Sequence, residues 1–397
     1  MRTVWKQNLV MLWFSQILVM AGYDAMNPFI PLFMKNELGL ADPVQLSKFV
    51  ALYNIASFIA YGVANPLWGW VGDKYGIKPM LIRGTFLTSI FWPMMAYSPS
   101  PWILVIYRGI TAFLAGTTAA SYMMIARTTP LERQGFAQGT LTTAVWGGSM
   151  LGNVVGGLVI HFYHYTHAFW ICGIMYFLAG IFIFFTHDDA SKSIAKVATE
   201  PQNKRPWWKF STSSLSAQVW SIIALFVLLG VIRRIEQPYT SLRIEQMSGA
   251  DMADYWTGIV SAFVGIGAIL SGVIFGRLID AYPAKKLMLP VIVGTAFFVL
   301  LQGIGQSLLF FSIARTLSYF VAGAIQPMLQ KRLSAETPRE HRGIAFGLST
   351  TGVSIGGTVA AIMGAFFFRH FGAQGVFIGT AVVTVISIPL FKMGFRR

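Results

Sequence analysis

About twelve apolar stretches, each near 20 residues long, run through this chain, and no other feature restricts its fold as much. They lie at roughly 8–33, 44–68, 78–98, 101–125, 136–160, 168–186, 217–241, 255–275, 286–306, 308–330, 343–368 and 372–394. With 55% hydrophobic and 11% charged residues, the chain has more apolar side chain than one water-soluble core can absorb. Barrel strands would be shorter and would alternate apolar with polar, so the stretches are predicted to be helices of an all-α integral membrane protein. The first stretch is too long for a secretory signal and contains Asp24, Pro28 and Pro31, so it is read as a retained span. The net charge of +15 does not point to nucleic acid, because no soluble domain carries it as a patch. Basic residues instead crowd one set of connections, from Arg2, Lys6 and Lys78 through Lys285, Lys286, Lys331 and Arg332 to Arg396 and Arg397. The other set holds only Lys35, Lys48, Arg243 and Arg369. The positive-inside asymmetry predicts a multi-pass inner (cell) membrane protein with both termini cytoplasmic. Cys172 is the only cysteine and sits in an apolar run, where it reads as a small buried hydrophobe.

Short polar interruptions show that the chain is an internal duplication. Gly69-Trp70-Val71-Gly72-Asp73-Lys74-Tyr75-Gly76-Ile77-Lys78 has a counterpart in Gly276-Arg277-Leu278-Ile279-Asp280-Ala281, 207 residues on. Arg108 and Gly116 are answered at the same interval by Arg315 and Gly323, and Thr129-Pro130 by Thr337-Pro338 at 208. Residues 188–215 form the one long polar stretch, rich in Lys, Ser and Thr, with Trp207 and Trp208 suited to an interface. The expected organisation is a six-helix bundle at 1–187, a cytoplasmic linker at 188–215 and a second six-helix bundle at 216–397, the two related by pseudo-symmetry.

The chemistry is sought in the few charges at membrane depth. An aspartate well inside a spanning helix is costly and usually faces a partner or water, which makes Asp24 the first candidate. Pro28 and Pro31 would kink its helix and free carbonyls beside it. Arg108 either partners Asp24 or reaches the interface, and Arg83 is expected to snorkel. Matching Pro28 to Pro238 sets Asp24 opposite Arg234, with Asn27 opposite Gln237. Asp24 could then pair across the midline with Arg234 or Arg233. Alternatively, Arg233 pairs locally with Glu236 or Gln237 at helical spacing. Gly148, Gly152 and Gly156 lie on one helical face and suit close packing. His161, His164 and His167 are read as part of an aromatic interfacial belt, not as metal ligands.

With the duplicated motifs in hand, the chain resembles the major facilitator superfamily, and within it the drug:proton antiporter type. Gly69, Asp73, Lys74, Gly76 and Lys78 are similar to that family's loop motif, although Ile77 stands where a basic residue is usual. The resemblance implies a conformational latch in which these residues, with Glu132, Arg133 and the second copy at Gly276 and Asp280, hold the halves together. Arg108 matches the arginine of the fourth-span motif, with Thr111 and Ala112 as departures. Gly148, Gly152, Asn153, Gly156 and Gly157 resemble the fifth-span antiporter motif, with Asn153 in place of a proline.

The expected function is proton-coupled secondary transport by alternating access, with a small-molecule substrate moving between spans 1, 4, 7 and 10. Asp24, Arg108 and Glu236 are the candidates for proton coupling, and Asn27, Arg233, Arg234, Gln237 and Arg315 for the substrate cavity. Export of small amphipathic or drug-like compounds comes first. Transport of an anionic metabolite, metallophore or lipid is the alternative, and a non-transporting receptor the second. Trp92, Trp146, Met123, Met124, Met150 and Phe263 are candidates for an adaptable apolar lining. No phosphate-binding loop is present, and the spans, poor in histidine, hold no nucleophile–base pair. No enzyme activity, cofactor or metal is expected, and the working unit is expected to be a monomer in the bilayer.

Overall fold

In the computed structural model, residues 4–130, 133–187, 216–338 and 342–394 are described. The expected linker lies outside them. Ten stretches are long and apolar enough to cross a bilayer. The last of these, Ala345–Gly394, contains two helices across a break at Gly372 (φ 66°, ψ −171°). A further helix, Ile77–Ala96, holds Lys78, Arg83 and several hydroxyls that dilute its apolarity. These make twelve helical crossings among the described residues: α1 Val4–Asn36, α2 Pro43–Tyr75, α3 Ile77–Ala96, α4 Pro101–Thr128, α5 Gln134–Phe162, α6 Tyr165–Phe184, α7 Ala217–Ser248, α8 Ala253–Ala281, α9 Ala284–Ile304, α10 Leu308–Glu336, α11 342–371 and α12 373–394.

The duplicated polar motif is more helical than an interruption between spans suggests. α2 continues through it to Tyr75, and the turn is confined to Gly76 (φ 97°), after which α3 begins at once. A left-handed φ of this kind is open to glycine at little cost. In the second copy α8 runs to Ala281, and only Tyr282 and Pro283 separate it from α9. At the other end of the bundle, α2 starts with Pro43 in its first turn, and Asp42 accepts hydrogen bonds from the Val44 and Gln45 amides at 3.2 Å.

The chain forms two six-helix bundles. In the first, α1 packs on α5 and α6, α3 on α6, and α2 on α4. In the second, α7 packs on α11 and α8 on α10. The bundles meet along α5 against α8 and α2 against α11. The α1–α5 seam has a simple cause. Gly148, Gly152 and Gly156 face the backbone of Ile17, Ala21 and Ala25, so both helices advance four residues per contact. The second bundle repeats this seam with Gly356, Ala360 and Gly364: Gly356 lies on Val227, and Gly364 on Ile235. One apolar core, including Leu32, Phe49, Tyr239, Leu242 and Phe368, continues across both bundles at the end opposite the two termini.

Gly156→Ala would drive a methyl into the Ala25 carbonyl. The cost expected is that of an overpacked core, about 1–3 kcal/mol, read as a lowered midpoint in thermal unfolding of the purified protein. Gly139→Ala, with nothing within 4 Å, is expected to leave the midpoint unchanged. Equal midpoints for the two variants would contradict the seam's role.

Candidate functional site

The site begins with two broken helices. α1 leaves α-geometry at Asp24, passes through a 3-10 turn at Asn27–Phe29 and resumes at Ile30. α7 does the same after Arg234, at Gln237–Tyr239. Pro28 and Pro238 sit in the turns, where a missing amide hydrogen and a ring incompatible with the preceding helical turn force the break. The pattern of buried and half-buried residues over 21–36 is identical, position by position, to that over 231–246. The 210-residue register taken from the prolines is therefore the register of the fold. It sets Tyr23 opposite Arg233, Asp24 opposite Arg234, and Asn27 opposite Gln237, and all six are half-buried.

Asp24 projects from α1 with three electrostatic neighbours: the Ser149 hydroxyl of α5, Arg234 of α7 and Arg108 of α4. Neither arginine closes an ion pair with it, because each is held elsewhere. Arg234 donates to the Gln237 side chain at 3.1 Å and lies over the Phe58 ring at 5.5 Å. Arg233 donates to Gln326 of α10 at 3.3 Å. The expected local pairing of Arg233 with Glu236 or Gln237 is thus replaced by Arg234 with Gln237. Arg108 is only 3% exposed and does not reach the interface. It donates to Ser57 Oγ at 2.5 Å and to the Tyr23 hydroxyl at 2.9 Å, between the rings of Tyr23 and Tyr53.

The second bundle uses its equivalent arginine differently. Arg315 pairs with Glu236 at 2.5 Å and donates to Gln302 at 3.1 Å, with both members of the ion pair buried. Glu236 is thereby held in a buried ion pair, while Asp24, a half-buried residue, has none among the described residues. Ser57, Ser149, Gln302, Gln326 and Tyr319 complete this polar centre. Their spacing in the chain carries no sign of it, because they come from four different helices.

A second cluster joins the bundles at the end opposite the termini. Lys35 of α1 and Glu245 of α7 form an ion pair at 2.7 Å. They too are 210 residues apart, so a register extended from Asp24 and Arg234 would have found them. The Tyr165 hydroxyl of α6 donates to the Asp254 carboxylate of α8 at 3.0 Å and accepts from Asn36 at 3.2 Å. His164 faces Glu37 at 3.2 Å, and the His161 ring lies 5.6 Å from that of Tyr255. His161 therefore contacts a helix of the other bundle, and His164 joins two turns of its own.

Other candidates fall in varied places. Gly157 approaches α8, where an added methyl would come within 3.0 Å of the Gly258 Cα. Asn153 turns back to the Ser149 carbonyl at 2.8 Å and leaves its own carbonyl oxygen buried without a partner. Lys78 donates to the carbonyls of Phe184 and Thr186 at 2.7 Å, capping the end of α6. Arg133 and Gly276 are exposed. Glu132 and the side chains of Asp73, Lys74 and Asp280 lie outside the described residues, as does any account of Gly69 beyond its helical backbone. Arg83 does not snorkel: its guanidinium stacks on Trp68 at 3.3 Å and donates to the Leu114 carbonyl at 3.2 Å, where α4 breaks at Ala115 and Gly116. Among the residues proposed for an apolar lining, Trp92 and Met124 are packed in the core and Phe263 is half-exposed on the outside of α8. Met123, Trp146 and Met150 remain half-buried.

The comparisons with known proteins agree with this architecture. The profile of the Major Facilitator Superfamily matches residues 12–248 and 246–397. Over 99% of its length the chain is 27% identical to a multi-drug resistance efflux pump PmrA homolog of Lactococcus lactis subsp. lactis, covering 96% of that protein. It is 25% identical to multidrug resistance protein MdtG of Proteus mirabilis, again over 99% of this chain and 96% of that one. In fold it is similar to the crystal structure of nucleoside transporter NupG (TM-score 0.76, 16% identity, 98% of this chain and 99% of that chain). It is also similar to an auto-inhibited peptide transporter of the POT family (TM-score 0.76, 13% identity, 98% and 97%). The chain belongs to the major facilitator superfamily, and it is a membrane transporter, not an enzyme.

Proposed function

We propose that this protein is a proton-coupled exporter of small amphipathic compounds, working by alternating access between residues 1–187 and 216–397. The observation that carries this reading is Asp24: an acid at a helix break, half-buried, with two arginines near it and an ion pair to neither. Such a carboxylate can take up and release a proton as its neighbours move, since each approach of a guanidinium favours its charged form. Arg234 belongs to the opposite bundle, so rocking of one bundle on the other changes that approach directly. The relatives named as multidrug efflux pumps support export.

Positive residues on the terminal side support cytoplasmic termini. In that orientation, the ion pair Lys35–Glu245 and the bond from Tyr165 to Asp254 form the external gate. Gly69, Asp73, Lys74, Gly76, Lys78, Glu132, Arg133, Gly276 and Asp280 then belong to the cytoplasmic side, where the latch suggested by the family motif would operate.

Asp24→Asn is expected to abolish substrate accumulation driven by a pH gradient in proteoliposomes while leaving downhill exchange in place. Normal uphill transport by this variant would remove Asp24 from the role. For the gate, a cysteine introduced at the buried Thr257 reports opening through its maleimide labelling rate, since the native Cys172 is itself buried. Lys35→Glu is expected to speed labelling, and adding Glu245→Lys is expected to restore slow labelling. Unchanged labelling in the single variant would exclude the ion pair from the gate.

A further inference from the structure

The arginines around the two helix breaks divide into two classes. Arg108 and Arg315 are 3% and 4% exposed and are built into the bundles, the first by Ser57 and two tyrosine rings, the second by Glu236 and Gln302. Arg233 and Arg234 are half-buried, adjacent on α7 at its break, and each has one neutral amide as its hydrogen-bond acceptor. A guanidinium offers five N–H donors, so among the described residues most of theirs have no acceptor.

The charges do not balance. Among the described residues around the two helix breaks, four arginines stand against two carboxylates, Asp24 and Glu236, and Glu236 is already paired with Arg315. With Asp24 ionised, two positive charges are left over; with Asp24 protonated, three. Surplus charge away from bulk water is costly unless a counter-charge and hydrogen bonds are supplied. The planar forks of adjacent arginines suit a carboxylate, sulfonate or phosphonate, which can accept two parallel N–H bonds. Beside the unused donors lies one aromatic face, that of Phe58 at 5.5 Å from Arg234, whereas the face of Tyr319 is covered by Arg315 at 5.2 Å.

We infer that the transported compound is an organic anion with an apolar body, its acidic head held by Arg233 and Arg234 and its body against Phe58. This rests on the transport reading and narrows it: a lipophilic cation would enter a centre already two charges positive.

The test uses two xanthene dyes of similar size and opposite charge, 5-carboxyfluorescein and rhodamine 6G, binding to the purified full-length protein in detergent, read by fluorescence anisotropy. Carboxyfluorescein is expected to bind at least about tenfold more tightly than rhodamine 6G, and Arg233→Gln or Arg234→Gln to weaken it by about tenfold each, the scale of one charge-assisted contact. Arg233→Lys and Arg234→Lys are expected to retain more binding than the glutamines. Arg369→Gln, a charge lost at an exposed distant site, is expected to bind as the wild type. Unchanged thermal midpoints establish that the variants are folded. Equal or tighter binding of rhodamine 6G, no binding of carboxyfluorescein, or anion binding indifferent to both glutamine variants would overturn the inference. None of these outcomes touches the transport reading, which falls instead if no bound compound crosses proteoliposomes under an imposed gradient.

Discussion

Everything at the centre of this protein depends on two helices that cannot stay helical. In a bilayer a broken helix is tolerable only where its freed backbone groups meet protein or water. The breaks at Asn27–Phe29 and Gln237–Tyr239 accordingly fall between the bundles, not against lipid. The proline that causes each break also determines which side chains stand beside it. Asp24 and Arg234 sit at the last helical residue before each turn, where the backbone no longer packs tightly and a charge can be solvated.

Duplication explains the arrangement of those charges. Two copies of one backbone placed face to face bring equivalent positions together, and like charges at such positions would repel. This chain carries opposite charges at two of them, Lys35 with Glu245 and Asp24 with Arg234. The first pair is closed at 2.7 Å and joins the bundles; the second is near but unpaired. The same backbone thus carries one closed pair and one open one, about eleven residues apart along each helix. The equivalent arginines Arg108 and Arg315 are both buried, yet one is satisfied by hydroxyls and the other by Glu236, because Met26 occupies the first-bundle position equivalent to Glu236.

Much of this was legible in the sequence, and the remainder fails for identifiable reasons. Span number and type follow from hydrophobic length, and the two halves follow from offsets of 207 to 210 residues. Aligning Pro28 with Pro238 was enough to set Asp24 opposite Arg234. The same register implies Lys35 with Glu245, but both residues look like ordinary loop-side charges when read alone. The glycine stripe on α5 is visible as a spacing, whereas its counterpart on α11 is masked because Ala360 replaces one glycine. Partners such as Ser57 for Arg108 and Trp68 for Arg83 are common residue types on other helices, and only the folded chain brings them together. The polar motif at Gly69–Lys78 suggested a loop because its composition is that of a turn; a single left-handed glycine does the turning, and the flanking residues keep their helical bonds.

The central claim is that the proton on Asp24 and the position of the bundles are one equilibrium. Double electron–electron resonance between spin labels at the ends of α1 and α7 near Lys35 and Glu245, taken in acidic and in mildly alkaline buffer, tests it directly. The wild-type distance distribution should redistribute between a short and a long population as the buffer changes, and Asp24→Asn should hold one distribution at both. A wild-type protein indifferent to pH, or a variant that redistributes just as the wild type does, would contradict the account.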